Sequence, residues 1–473
     1  MLSRTVNCLG PVFTGLLCLS ASFGHAATKV ESLYQSSCAS CHGPTLRGGL
    51  GSNLVDKIWK HGASDAEIMA NIKQGIAKVG MPAWGKSLSD EEIRGLVIYL
   101  HEQEAEAAAA DFQTKIDPTN GVFSTDLHKF KLEEVAKGTG TLWSMDFMPD
   151  GSILATQKDG KLWRFKDGKR YGPIMATPKV KDDSQGGLLE VQLHPDYAKN
   201  GWVYLSYAVD GANGGSMTQV VRGKIKADHW LDQETIFAVP DKYLLKAGYH
   251  FGSRFAFQGG YLFFSIGDRG SKEMAQDLTR PNGKIHRIHD DGRIPNDNPF
   301  VTTKGAYPSI WSYGHRNPQG LDFDPITGQL WATEHGPRGG DETNIIEPGK
   351  NYGWPVITYG MNYDGTPITA ETAREGMEQP KHYWVPSIAV CGIDFYTGDK
   401  FSKWTNNLIV GSLAKQELHR LVIVDSKVVK DEILMKNQGR IRDVANGPDG
   451  YIYVILNPDS GSRQGAIYRL INL

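Results

Sequence analysis

Asp146-Phe147-Met148-Pro149-Asp150-Gly151-Ser152-Ile153-Leu154-Ala155-Thr156 reads as a strand, a tight turn and a second strand. The unit recurs. Val191-Gln192-Leu193-His194-Pro195-Asp196 leads to Val203-Tyr204-Leu205, and Ala256-Phe257-Gln258-Gly259-Gly260 leads to Leu262-Phe263-Phe264. Asp322-Phe323-Asp324-Pro325-Ile326-Thr327-Gly328 leads to Leu330-Trp331-Ala332, and Phe395-Tyr396-Thr397-Gly398 leads to Leu408-Ile409-Val410. Asn446-Gly447-Pro448-Asp449-Gly450 leads to Ile452-Tyr453-Val454. About six such units over roughly 350 residues, each with several short strands, are the signature of a β-propeller. A sandwich with long insertions is the other arrangement these strands allow. The 54 Gly, 11 Trp and 19 Tyr fit turn-rich β structure.

Upstream the pattern changes. Residues 28–105 read as helical: Val30 to Ser37, Asp65 to Gln74 and Asp90 to Glu104. Ser89 with Glu92 forms a capping box, and Ile93, Leu96, Val97 and Leu100 fall at helical spacing. Residues 106–122 read as a linker, a semi-rigid helical Ala/Glu tail followed by the turn chemistry of Asp117-Pro118-Thr119-Asn120-Gly121. The expected organisation is multidomain: a small all-α domain over 28–105, then an all-β propeller over 123–473. A chain of 473 residues is too long for one ordinary core.

Arg4, the apolar run from Gly15 to Phe23 and Gly24-His25-Ala26 read as a secretory signal over residues 1–26. The alternative is an N-terminal membrane anchor. No other apolar segment approaches about 20 residues, so the mature chain is expected to have no membrane span and to be periplasmic or secreted. The net charge of −2 gives no bulk electrostatic reason to bind nucleic acid.

There are five cysteines. Cys8 and Cys18 leave with the signal, and Cys391 is read as a buried structural thiol. The other two lie in Cys38-Ala39-Ser40-Cys41-His42. Two thiols separated by two residues reach the two vinyl groups of a haem, and the adjacent His points its ring at the iron. The rival readings are thiol–disulfide exchange and half a zinc site. The adjoining His and the lack of a second cysteine pair argue against both. Met81, in Gly80-Met81-Pro82-Ala83-Trp84, is the candidate sixth ligand. Residues 28–105 resemble the class I cytochromes c, and this segment resembles their methionine-ligand loop. Thioether ligation favours the ferrous state, so such a haem accepts electrons readily.

The propeller region holds one segment dense in chemistry: Gly314-His315-Arg316-Asn317-Pro318-Gln319-Gly320, Glu334-His335-Gly336-Pro337-Arg338-Gly339-Gly340-Asp341-Glu342 and Asn351-Tyr352-Gly353-Trp354-Pro355. Carbonyls near Gly336 and Pro337, beside acids, suit a hard cation such as Ca²⁺. Arg316, Arg440 and Arg442 suit a multiply carboxylated ligand, because Arg forks carboxylates bidentately. Surface salt bridging is the plainer reading of the same residues.

These runs, with His250-Phe251-Gly252-Ser253-Arg254 and Ser265-Ile266-Gly267-Asp268-Arg269-Gly270, resemble the soluble pyrroloquinoline quinone (PQQ)-dependent aldose dehydrogenases, the glucose/sorbosone dehydrogenase family, over roughly 135–470. The resemblance implies a six-bladed propeller that oxidises a sugar by hydride transfer to PQQ. It makes His250 the general base, Arg316 and Asn317 contacts of the quinone, and Gln185 and Asp268 polar contacts on the substrate side. It also implies that Gly336 and Pro337 give carbonyls to Ca²⁺ and that Arg440 and Arg442 clamp the cofactor carboxylates. The chain departs from the family pattern where Ser412-Leu413 is followed by Ala414 before Lys415. Either Lys415 serves from one position along, or that cofactor contact is lost. Tyr249 and His335 also depart from the residues some relatives carry, which bears on sugar preference.

A haem tethered by a short linker stays at high effective concentration near a quinone. The expected function is therefore oxidation of an aldose at C1 to a lactone, with electrons passing through haem c to a respiratory acceptor. Two other classes fit part of the pattern. A Ca²⁺-dependent propeller hydrolase or lactonase would not respond to PQQ. A non-catalytic electron carrier would leave His250 and the Arg316 loop without a role.

Overall fold

The computed structural model describes residues 27–116, 120–211, 214–459 and 464–473. The expected signal, residues 1–26, with Cys8 and Cys18, lies outside the described residues.

Six antiparallel sheets form six blades. The innermost strands are Leu142–Phe147, Leu188–Leu193, Phe255–Gln258, Pro318–Phe323, Val390–Phe395 and Arg440–Asn446. Each predicted strand–turn–strand unit is the hairpin joining an innermost strand to the next strand outward in its blade. In the first unit the turn closes with Met148 N donating to Ser152 O at 2.7 Å and Gly151 N to Met148 O at 2.9 Å. The ring is sealed in blade six. Lys129–Lys137, from before blade one, pairs with the C-terminal strand Ala466–Asn472, in register from Phe130↔Asn472 to Lys137↔Ala466. Closure leaves the circle of blades without a free end.

Carboxylates clasp neighbouring blades around the axis. Asp146 accepts from Leu193 N at 2.6 Å, Asp322 from Phe395 N at 2.7 Å, Asp394 from Asn446 N at 2.7 Å and Asp443 from Met145 N at 2.9 Å. Each bond joins one innermost strand to that of the next blade. Burial pushes Asp146 and Asp322 up to about 6. These acids line a cavity of about 400 Å³ at the end of the axis where the innermost strands finish.

Ahead of the propeller lie α1 (Lys29–Ser37), α2 (Ala39–His42), α3 (Asp65–Gln74) and α4 (Asp90–Ile116). Val30 and Tyr34 of α1, Ile68 and Ile72 of α3, and Ile93, Leu96, Val97 and Leu100 of α4 form one core. The expected capping box is present: Ser89 N donates to Glu92 at 2.8 Å and Glu92 N to Ser89 Oγ at 3.2 Å. Ser89→Ala is expected to cost this domain about 1 kcal/mol, read by urea unfolding of the holoprotein. α4 runs on past Glu104 through the expected helical tail of the linker, because Ala107-Ala108-Ala109-Ala110 prolongs a helix better than it breaks one.

The N-terminal domain is docked on the propeller. Met361, fully buried, belongs to the helical core, with Val385 packed against it. Lys29 N donates to Asp364 O at 3.0 Å. No helix of the described residues is long and apolar enough to cross a membrane.

Candidate functional site

Positive backbone φ values, costly outside glycine, gather where the innermost strands begin: Ser184, His250, Ser253 and Ala389 all adopt them. Nearly all the propeller residues singled out from sequence lie at this end, either before an innermost strand or between the second and third strands of a blade.

His250 is centred there. Its Nδ1 lies 2.6 Å from Asp268 Oδ1, and its amide donates to Gln185 Oε1 at 2.8 Å. Asp268 is fully buried and held by three more donors or neighbours: Gly270 N at 2.7 Å and Trp354 Nε1 at 2.8 Å on the carboxylate, with its own amide bonded to Arg316 O at 2.7 Å. Burial lowers His250, aided by the charge of Arg316 and opposed by Asp268. Burial alone would raise Asp268, but the hydrogen bonds from His250 and the Gly270 amide hold the carboxylate below its usual range. The pair is therefore a neutral imidazole beside an ionised carboxylate. Asp268 fixes the proton on Nδ1 and leaves Nε2 as the acceptor.

Two of the expected substrate-side residues lie around this imidazole. Asp268, expected to contact substrate, is fully buried behind His250 and orients it. Gln185 accepts the His250 amide through its side-chain carbonyl and so holds the loop, while the residue itself is exposed at this end. Gly267 is required for this packing, because a Cβ there would lie 2.5 Å from His250 O and 2.9 Å from Asn317 Oδ1.

Arg316 lies beside this pair. Glu334 accepts its amide at 2.7 Å, and Nη1 donates to His335 O at 3.1 Å and Gly336 O at 2.8 Å. Asn317 Oδ1 accepts from Gly252 N at 3.1 Å. Arg442 donates to Gln319 Oε1 at 3.1 Å and approaches Cys391 Sγ at 3.6 Å. Cys391 is buried, as expected. Arg440 turns away to Asp459 at 3.6 Å, and Lys415, in the turn between the second and third strands of blade five, is half-buried. Neither is hydrogen-bonded to the His250–Arg316 cluster among the described residues. Trp354 carries no role that the sequence alone declares. Its bond to Asp268 could have been suspected only from its place in a Gly- and Pro-rich run.

The residues fit an anionic, oxygen-rich cofactor. Among the described residues, buried His335 Nε2 and Arg442 Nε have no hydrogen-bond partner, and Arg316 and Arg442 bring positive charge to the same end. The carbonyls of His335 and Gly336 already face a cation, the Arg316 guanidinium. Among the described residues no three His, Cys, Asp or Glu side chains group as a metal site. A Ca²⁺ at Gly336 and Pro337 would thus take further oxygen ligands from the cofactor or water.

In the N-terminal domain, Cys38 follows α1 and Cys41 lies in α2. His42 Nδ1 lies 2.8 Å from Ser52 O, which orients the ring and leaves Nε2 for an iron. Gly51 lies against that ring, where a Cβ would come within 2.9 Å. Met81 packs against the helical core, its loop pinned by a backbone bridge to Ile76. This arrangement fits a haem held by Cys38, Cys41, His42 and Met81.

Residues 140–469 match the family Glucose / Sorbosone dehydrogenase, and residues 25–100 match Cytochrome C oxidase, cbb3-type, subunit III. The aldose sugar dehydrogenase YliI of Escherichia coli (strain K12) is 43% identical over 327 residues, 67% of this chain and 88% of that protein. A solved glucose dehydrogenase superposes with a TM-score of 0.69 at 40% identity, covering 72% of this chain and 99% of that one. The PQQ-bound aldose sugar dehydrogenase of Streptomyces coelicolor gives 0.60 at 25% identity, covering 74% and 100%. The chain therefore belongs to the glucose/sorbosone dehydrogenase family, sugar dehydrogenases built on a six-bladed propeller, and carries a cytochrome c domain ahead of the propeller.

Proposed function

We propose that this chain is a periplasmic quinohaemoprotein that oxidises an aldose at C1 to the lactone and passes the electrons through its own haem c. The signal of residues 1–26 would direct export. Residues 28–105 would form the cytochrome domain, 106–122 the linker and 123–473 the dehydrogenase. Bound PQQ with Ca²⁺ supplies a two-electron hydride acceptor, and haem c a one-electron carrier.

The observation that carries the reading is the His250–Asp268 pair. Nε2 of His250 takes the proton of the C1 hydroxyl as the C–H bond breaks, and Asp268 stabilises the imidazolium formed. Gln185 holds the amide of His250 and so fixes the ring's approach. Arg316 and Asn317 would contact the quinone, and Arg442 would supply positive charge for the cofactor's carboxylates. Arg440 and Lys415 would complete that set once a ligand draws them in. The docked helical domain supports the electron path, because it rests on the loop that follows Gly336 and Pro337.

The test reconstitutes the chain with PQQ and Ca²⁺ and screens aldoses with a dye acceptor, following lactone formation. PQQ-dependent turnover of at least one aldose is expected. No turnover with any aldose would overturn this reading, and lactone hydrolysis without PQQ would replace it with the hydrolase. The pH profile adds a second check. A base lowered by burial is competent above its pKa, so kcat/KM should rise with pH through a value below 6.5 and then level off. An acid limb centred above 6.5 would contradict His250 as a buried neutral base.

A further inference from the structure

Arg338 lies two residues beyond Gly336 and reaches into the other domain. Its Nε donates to both carboxylate oxygens of Glu102, at 3.0 and 3.1 Å, and Nη2 to Glu102 Oε2 at 2.9 Å. Nη1 donates to Thr28 Oγ1 at 3.0 Å and Nη2 to Glu31 at 3.2 Å. All three guanidinium nitrogens are thus spent on α1, its cap and α4. The Glu102 side chain is 6% exposed and that of Arg338 18%, so water competes little for these bonds.

The same short loop holds the candidate cation carbonyls on its other side. Arg316 takes the carbonyls of His335 and Gly336, while Asp341 takes the Gly336 amide at 2.8 Å. Arg338 N and O both pair with Met361, the propeller residue buried in the cytochrome core. The loop is folded tightly on itself: a Cβ at Gly336 would meet Gly339 O at 2.3 Å. Two residues of chain span at most about 7 Å. A close-packed loop this short cannot shift at Arg338 without moving the Gly336 carbonyl.

We infer that Arg338 couples the two domains: its grip on Glu102 and Glu31 holds the 335–341 loop in the shape that presents the Gly336 and Pro337 carbonyls to Ca²⁺. Cation binding and haem-domain docking then favour one another, since coupling between two sites is reciprocal. Arg338 is a positioning residue here, and the inference rests on the Ca²⁺ site of the proposed function.

The test is calorimetric titration of Ca²⁺ into the full-length holoprotein with saturating PQQ, for wild type, Arg338→Met, Glu102→Gln and the double variant. Both single variants should bind Ca²⁺ about ten-fold more weakly, and the double variant no more weakly than either single, as expected of one coupled unit. Simple electrostatics predicts otherwise. Removing the Arg338 charge would tighten Ca²⁺ binding, and only the Glu102 change would weaken it. Unchanged affinity in Glu102→Gln, or tighter binding in Arg338→Met, overturns the coupling while leaving the proposed function intact. No Ca²⁺ uptake by wild type overturns both.

Discussion

His250→Ala is expected to slow sugar-driven haem reduction by about 10²–10⁴-fold, the usual contribution of a positioned general base. The imidazole is the group whose neutral Nε2 is freed by the bond from Nδ1 to buried Asp268. Reduction of the haem by dithionite should be unchanged, because His250 belongs to the propeller and the haem motif to the other domain. Asp268→Asn should reproduce much of the loss. The amide can offer its oxygen to Nδ1–H but carries no charge for the imidazolium. Stopped-flow absorbance separates sugar-driven from chemical reduction. A His250→Ala variant within about three-fold of wild type would remove His250 from the proton transfer.

Arg254→Met is expected to destabilise the propeller by about 3–5 kcal/mol, the cost of leaving a buried charge without its partner. Arg254, from blade three, donates to Glu190 of blade two at 3.0 Å and Gln319 O of blade four at 2.7 Å. It donates to Asp443 at 2.6 Å and Arg442 O at 2.7 Å, both of blade six, and approaches Cys391 Sγ of blade five at 3.7 Å. Its guanidinium lies 4.2 Å from the ring of Trp143 in blade one. One side chain therefore touches all five other blades at the axis. Burial pushes Glu190 up to about 8 and raises Asp443 as well, and Arg254 opposes both shifts, so removing the guanidinium takes away the charge that stabilises both buried carboxylates. Urea unfolding measures the loss. A change below about 1 kcal/mol would show that the axis relaxes around the missing charge.

The hairpins, the capping box and the haem motif were legible because their determinants are local. Met148 to Ser152 closes a turn within five residues, and Ser89 meets Glu92 three residues on. The hub at Arg254 was not, since its partners lie 65 and 189 residues away and nothing in the Gly-Ser-Arg run declares them. The Arg338–Glu102 contact spans 236 residues and was equally hidden. His250 could be singled out by its run of neighbours. The part played by Asp268 could not, because sequence does not show that its carboxylate is shut away from the site. The helical tail after Glu104 was legible for a local reason too, because an Ala/Glu run favours helix, and α4 runs on to Ile116.

The most direct test of the central claim mixes the oxidised holoprotein, loaded with PQQ and Ca²⁺, with an aldose it turns over and follows the haem spectrum in the absence of other acceptors. The account predicts first-order reduction of one haem per chain, at a rate independent of protein concentration, because donor and acceptor share one chain. Lactone formation with the haem left oxidised, or reduction whose rate scales with protein concentration, would contradict it.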